Sequence, residues 1–162
     1  MIVVSDTTPI ISLIKINRLD LLKELFNEVL IPDAVFRELT TNTVFTSEAQ
    51  IVKSSSFLKV SAVQNHKALQ LLQEVSGLDD GESEAIILAD ELKDGVLVID
   101  EKKGRKVAQK MGIPITGTVG ILIQAYNEQK VSADEIRSYL TQLKNSNIRL
   151  SDSLIQQALD LL

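Results

Sequence analysis

The chain has 162 residues, 44% apolar and 24% charged, with a net charge of −5. That is enough chain for one domain with a real core, too apolar for global disorder, and without the overall basic field of a protein that coats nucleic acid. It has no Cys, which excludes disulfides, thiolate catalysis and cysteine-ligated zinc or iron–sulfur sites.

In chain order, "IVVS" reads as a short buried strand. "PIISLIKI" and "LDLLKELF" read as two short helices, the first with Pro9 near its opening turn. "EVLIP" is a second strand, stopped by Pro32, and "DAVFRELT" is a helix with Asp33 as its expected N-cap. Residues 41–56 are rich in Ser and Thr and carry the weakest signal, part helix and part loop. "FLKV" reads as a third or edge strand. "HKALQLLQEV" has helical spacing and closes at Gly77. "LDDGESEAIILADEL" is the clearest helix and "GVLVID" the clearest strand, apolar enough to be buried on both faces.

A helix is expected from about Gly104, then a short strand "IPIT" and helices over "GTVGILIQAYNEQ" and "SADEIRSYLTQLK". "SDSLIQQALDLL" is a last amphipathic helix, capped by Ser151. Strands alternate with helices throughout, which predicts an α/β sandwich on a mainly parallel sheet. No repeat or domain-splitting linker interrupts residues 1–162, so a single domain is expected, with 148–162 packed on it or on a partner. No charged leader precedes a long apolar segment, and no apolar run approaches the roughly 20 residues that span a bilayer. The expected location is the cytoplasm.

In an open parallel sheet, sites form beyond the carboxyl ends of the strands. Asp6 follows the first strand and Asp100 follows "GVLVI", so both reach one rim if their strands are parallel neighbours, as we expect. Glu38 shares a helix face with Ala34 and Val35. An acid on such a stripe costs free energy unless a partner or a cation meets it. Glu84 lies one turn before Ile87 and Leu88 in a helix that is apolar on most sides.

Singly, each acid has an ordinary structural role: turn or cap for Asp6 and Asp100, stripe edge for Glu38, dipole partner for Glu84. Glu82 reads as a first-turn structural acid. Together, Asp6, Glu38, Glu84 and Asp100 would form a hard-oxygen cage suited to Mg²⁺ or Mn²⁺, of the kind that supports phosphodiester hydrolysis. Lys102, Lys103, Arg105, Lys106 and Lys110 follow Asp100 directly. They read either as a solvated helix face or as a local hold on phosphates.

The stretches "VSDTTPIISLIKINRLDLL", "EVLIPDAVFREL", "LDDGESEAIILA", "VLVIDEKKGRKVA" and "ITGTVGILI", in this order and spacing, resemble the PIN-domain proteins related to prokaryotic toxin ribonucleases. The resemblance covers essentially the whole chain. It implies a three-layer α/β/α sandwich and a divalent-metal site made of Asp6, Glu38, Glu84 and Asp100. It also implies endoribonuclease activity as the toxin of a type II toxin–antitoxin pair, a small antitoxin partner and a homodimer. Thr7 and Thr8 match site-lining positions, and Glu101 stands beside Asp100 as its assistant or substitute. The chain departs from the pattern in having Glu84 where toxin ribonucleases usually have Asp, and "KKGR" in place of a "D-F" ending.

The expected substrate is single-stranded RNA, whose flexible backbone suits a compact acidic rim with one basic patch. The competing reading is a catalytically silent PIN-like module that binds nucleic acid or protein. An aspartyl-phosphate hydrolase is disfavoured because no second Asp follows Asp6 by two residues. Serine–histidine hydrolysis is disfavoured because His66, the one His, lies in a polar helix start.

Overall fold

The computed structural model describes residues 1–162, with Phe45 described by its backbone alone. Five parallel strands form one sheet: β1 (Ile2–Ser5), β2 (Val29–Ile31), β3 (Leu58–Val60), β4 (Gly95–Val98) and β5 (Ile115–Thr116), in the order β3-β2-β1-β4-β5. The helices are α1 (Thr7–Lys15), α2 (Asp20–Phe26), α3 (Asp33–Thr41), α4 (Thr46–Ser54) and α5 (His66–Ser76). They continue as α6 (Asp80–Glu91), α7 (Lys102–Lys110), α8 (Thr118–Asn127), α9 (Ala133–Asn145) and α10 (Asp152–Asp160).

The side-chain alternation of the strands builds two cores. Val3, Val29, Ile31 and Val98 face a layer that includes α1, α2, α8 and α9. Val4, Leu97 and Ile99 face α5, α6 and α7. The result is a three-layer α/β/α sandwich, as the strand–helix alternation predicts. Because β1 and β4 are central, both faces of each are covered, and their side chains read as nearly unbroken apolar runs. β3 is an edge strand. On α10, Ala158 is buried and Ile155 and Leu159 pack on the first core, as does Leu162 beyond the helix.

Three local expectations change. Asp33 is not the cap of α3: Pro32, in extended backbone, holds the N-cap position and Asp33 is the first helical residue. The amide of Ala34 instead finds the carboxylate of Glu84 on α6, at 3.1 Å. Second, α7 starts at Lys102 rather than near Gly104. Gly104 is buried inside the helix because a Cβ there would come within 2.6 Å of Ile99 Cδ1, so it serves close packing on β4 and not a helix start. Third, residues 41–56 are mostly helical, a 3₁₀ turn over Thr43–Phe45 running into α4. Gly77 closes α5 in the left-handed region, with φ of 69°.

Candidate active site

β1 and β4 pair in parallel with Ser5 opposite Val98, and the Asp6 amide donates to the Val98 carbonyl at 3.0 Å. Asp6 and Asp100 therefore leave neighbouring strands at the same rim. Asp6 occupies the N-cap position of α1 but makes no side-chain capping bond, and it is only 4% exposed. Burial pushes its carboxyl up to about 8. The backbone amide of Thr7 offsets part of this, and the charges of Glu82, Asp79 and Glu38 add to it.

Glu38, on α3, accepts the Thr7 hydroxyl at Oε2, 2.9 Å away. Burial raises its carboxyl, the Thr7 bond opposes the rise, and Asp79 adds repulsion. Gly81 opens α6 beside this pair. A Cβ there would lie 3.1 Å from Glu38 Oε2 and 3.7 Å from Asp6 Oδ1, so the absence of a side chain keeps the space between the two acids open.

The third acid of this group is Glu82. Burial, then the charges of Asp79 and Glu101, push it up to about 7. Glu84 is directed elsewhere. Its Oε1 holds the Ala34 amide and its Oε2 lies 3.8 Å from Arg37, so it caps α3 from the neighbouring helix. Residues two apart on a helix point about 200° apart around its axis, and only one of these two acids can face Asp6. Glu84 is turned to α3, whereas the charge of Glu82 is felt by Asp6, and that of Glu38 by Glu82. Because α6 is buried on most sides, an apolar stripe could not separate the two. The informative signal is the pair of buried glycines: Gly81 abuts Glu38 and Asp6, and Glu82 Oε1 lies 3.9 Å from where a Gly104 Cβ would be.

Asp100 reaches the rim but already has partners. Its Oδ1 accepts the Thr118 amide at 2.8 Å and its Oδ2 accepts the Thr118 hydroxyl at 2.6 Å, which ties it to the start of α8. Thr7 is buried under Glu38. Thr8 is exposed and lines a cleft of about 380 Å³ with Asp100, Glu101 and Lys102.

The basic run does not act as one patch. Lys102 faces that cleft, and Lys103 Nζ lies 3.5 Å from where a Gly77 Cβ would be. Arg105 Nη1 donates to the Ile99 carbonyl at 2.7 Å, and Lys106 and Lys110 are exposed on α7. Arg149, which the sequence reading passed over, lies in the α9–α10 connection and borders the cleft too.

The cluster of Asp6, Glu38 and Glu82 offers only carboxylate oxygens, and no ion pair with Lys or Arg reaches any of them among the described residues. Nor do three acid, His or Cys side chains already stand as a metal-ligand group among the described residues. The donor chemistry suits a hard divalent cation that keeps several waters, provided the cation draws these side chains inward.

The rim beyond the carboxyl ends of the parallel sheet carries the buried Asp6 and the half-buried Glu38, Glu82 and Asp100, inside a three-layer sandwich. The DUF3368 family model, described as a PIN domain, matches residues 2–162, and the chain belongs to this PIN-domain family. PIN domains are commonly nucleases. Neither a curated protein nor a solved structure matches the chain. Among the described residues, no helix is long and apolar enough to cross a membrane.

Proposed function

We propose that the protein is a Mg²⁺- or Mn²⁺-dependent endoribonuclease that hydrolyses single-stranded RNA in the cytoplasm, as the toxin of a toxin–antitoxin pair held in check by a small antitoxin and acting as a homodimer. The observation that carries the catalytic part is Asp6: a buried carboxyl at the rim, at a cap position it does not use, within reach of the charges of Glu38 and Glu82 and with no ion pair to Lys or Arg among the described residues. Such a group is costly to keep ionised and is explained by a cation it would share.

Asp6, Glu38 and Glu82 are the residues that would hold the metal, with Asp100 at the adjoining position. When bound, the metal polarises the phosphate and lowers the pKa of a water. Thr7 fixes the direction of Glu38, and Gly81 keeps the space between Glu38 and Asp6 free. Thr118 orients Asp100, and Lys102 offers positive charge to the RNA backbone beside it.

The test is cleavage of end-labelled single-stranded RNA with Mn²⁺ or Mg²⁺. Wild type should cut, EDTA should stop it, and Asp6→Asn should be inactive while still binding RNA. In cells, expression of the wild type should arrest growth, co-expression of a cognate small antitoxin should relieve the arrest, and Asp6→Asn should not be toxic.

A second reading, a silent PIN-like binding module, is favoured by Asp100, whose two oxygens both bond Thr118, and by the side chains that have not converged. Growth arrest by the Asp6→Asn protein equal to that of wild type would select it.

A further inference from the structure

Beside the acid rim lies a second cleft, of about 430 Å³, between α8 and α10. That is within the range of about 300–1,000 Å³ common for small-ligand sites. Its two ends differ in chemistry. One end is apolar, lined by Val119 and Ile123 on α8, Leu154 on α10 and Leu161 just after it. Leu154 and Leu161 keep 38% and 63% of their surface exposed, so the chain itself leaves this apolar wall uncovered. The other end is cationic and contains Arg105 and Arg149. Neither guanidinium forms an ion pair among the described residues.

The clefts adjoin. Asp100, Arg149 and Leu150 line both the α8–α10 cleft and the one that holds Thr8, Glu101 and Lys102. The junction depends on small residues. A Cβ on Gly117 would fall 2.6 Å from Asp100 Oδ1 and 3.0 Å from Arg105 Nη1, and one on Gly120 would collide with Thr116 Oγ1. Glycine at both positions lets the acid, the guanidinium and the threonine share this wall. Asp100, held by Thr118, is one negative charge against the two guanidiniums, so that end is net positive.

An anionic group attached to a flat apolar one matches this layout. We propose that the α8–α10 cleft is a nucleotide subsite. It receives one residue of single-stranded RNA, with the base between Leu154, Leu161 and Ile123 and the phosphate at Arg105 and Arg149. The proposal rests on the ribonuclease reading above and adds where the strand lies relative to the acids: the chain enters or leaves the rim past Asp100 and Arg149. Among the described residues no aromatic ring lines the cleft, so the base is gripped by aliphatic surface. Such a grip discriminates weakly between bases and strongly against a missing base.

The test is a titration of the full-length protein, without metal, with adenosine and uridine 5′-monophosphate and with ribose 5-phosphate. It is read by methyl NMR at Ile123, Leu154 and Leu161. Both nucleotides should shift these methyls, and ribose 5-phosphate should bind about ten-fold more weakly. Leu154→Ser should weaken the nucleotides several-fold and leave ribose 5-phosphate unchanged. Arg149→Ala should weaken all three. Unmoved methyls, equal affinity for ribose 5-phosphate, or no effect of Leu154→Ser would overturn the subsite.

Cleavage of RNA by the same preparations separates the two claims. Wild-type cleavage with unmoved methyls leaves the nuclease standing and removes the subsite. Shifted methyls in a protein that cuts no RNA keep the subsite and remove the nuclease.

Discussion

Thr7 Oγ1 donates to Glu38 Oε2 at 2.9 Å, joining the first residue of α1 to the middle of α3 across 31 residues of sequence. The bond holds Glu38 toward Asp6, the residue that precedes Thr7. Valine has nearly the shape of threonine without its hydroxyl, so Thr7→Val isolates this bond. The variant should lose about 1 kcal/mol of stability and bind Mn²⁺ about ten-fold more weakly, measured by denaturant melts and by titration calorimetry.

Gly81 gives a cleaner separation of site from fold. Alanine is favoured over glycine inside a helix by about 1 kcal/mol, and at this position the new Cβ meets only Glu38, Val35 and Asp6 side chains. Gly81→Ala should therefore melt at or above the wild-type temperature without metal, yet lose most of the stabilisation by Mn²⁺ and most RNA cleavage. Gly104→Ala should behave in the opposite way. Its Cβ would fall 2.6 Å from Ile99 Cδ1, so it should lower the melting temperature in either condition.

The pH dependence follows from carboxyls held above their ordinary values. Asp6 is raised from 3.8 to about 8 and Glu82 from 4.5 to about 7. The unfolded chain releases these protons near pH 4, while the folded chain keeps them until pH 7–8. Their contribution is present in full below pH 4 and is lost as pH rises to about 8, with a slope of up to about 1.4 kcal/mol per pH unit from the buried Asp6 and a smaller one from Glu82, which water partly screens. Without metal, wild type should lose stability over this window. Asp6→Asn should flatten the loss, so its advantage over wild type grows from pH 4 to pH 8 in thermal melts. A wild-type curve that rises over that window would contradict the burial of an uncompensated carboxyl.

RNA binding should distinguish the lysines by position. Lys102 lines the cleft with Asp100 and Thr8, whereas Lys103 reaches over Gly77. Lys102→Ala should weaken binding to RNA and lower the slope of log affinity against log salt by about one. Lys103→Ala should change both less. Filter binding with Asp6→Asn as the background keeps the substrate intact.

Much of this architecture is legible in the chain. The apolar run "GVLVID" and the pairing of a strand with Asp6 predict neighbouring central strands, and Ser5 stands opposite Val98 as that requires. What the chain does not disclose is orientation around α6. Glu82 and Glu84 both follow Asp79 within a turn and a half, in a helix buried on most sides, and periodicity treats them alike. The choice is made by α3, whose Ala34 amide takes Glu84 because Pro32 holds the N-cap position without a side-chain cap. Arg149 is invisible for a similar reason: it is one cation in an irregular connection, and only the packing of α10 against α8 carries it to the rim. The start of α7 lies two residues before Gly104, because a packing glycine looks the same in sequence as a boundary glycine.

The most direct measurement is calorimetric titration of Mn²⁺ into wild type, Glu82→Gln and Glu84→Gln at pH 7.5. Wild type should bind, and Glu82→Gln should bind at least about ten-fold more weakly. Glu84→Gln should bind as wild type does while losing about 1–2 kcal/mol of stability, through its weakened hold on the Ala34 amide. No Mn²⁺ binding by wild type, or loss of binding in Glu84→Gln with Glu82→Gln unaffected, would contradict a metal site built on Asp6, Glu38 and Glu82.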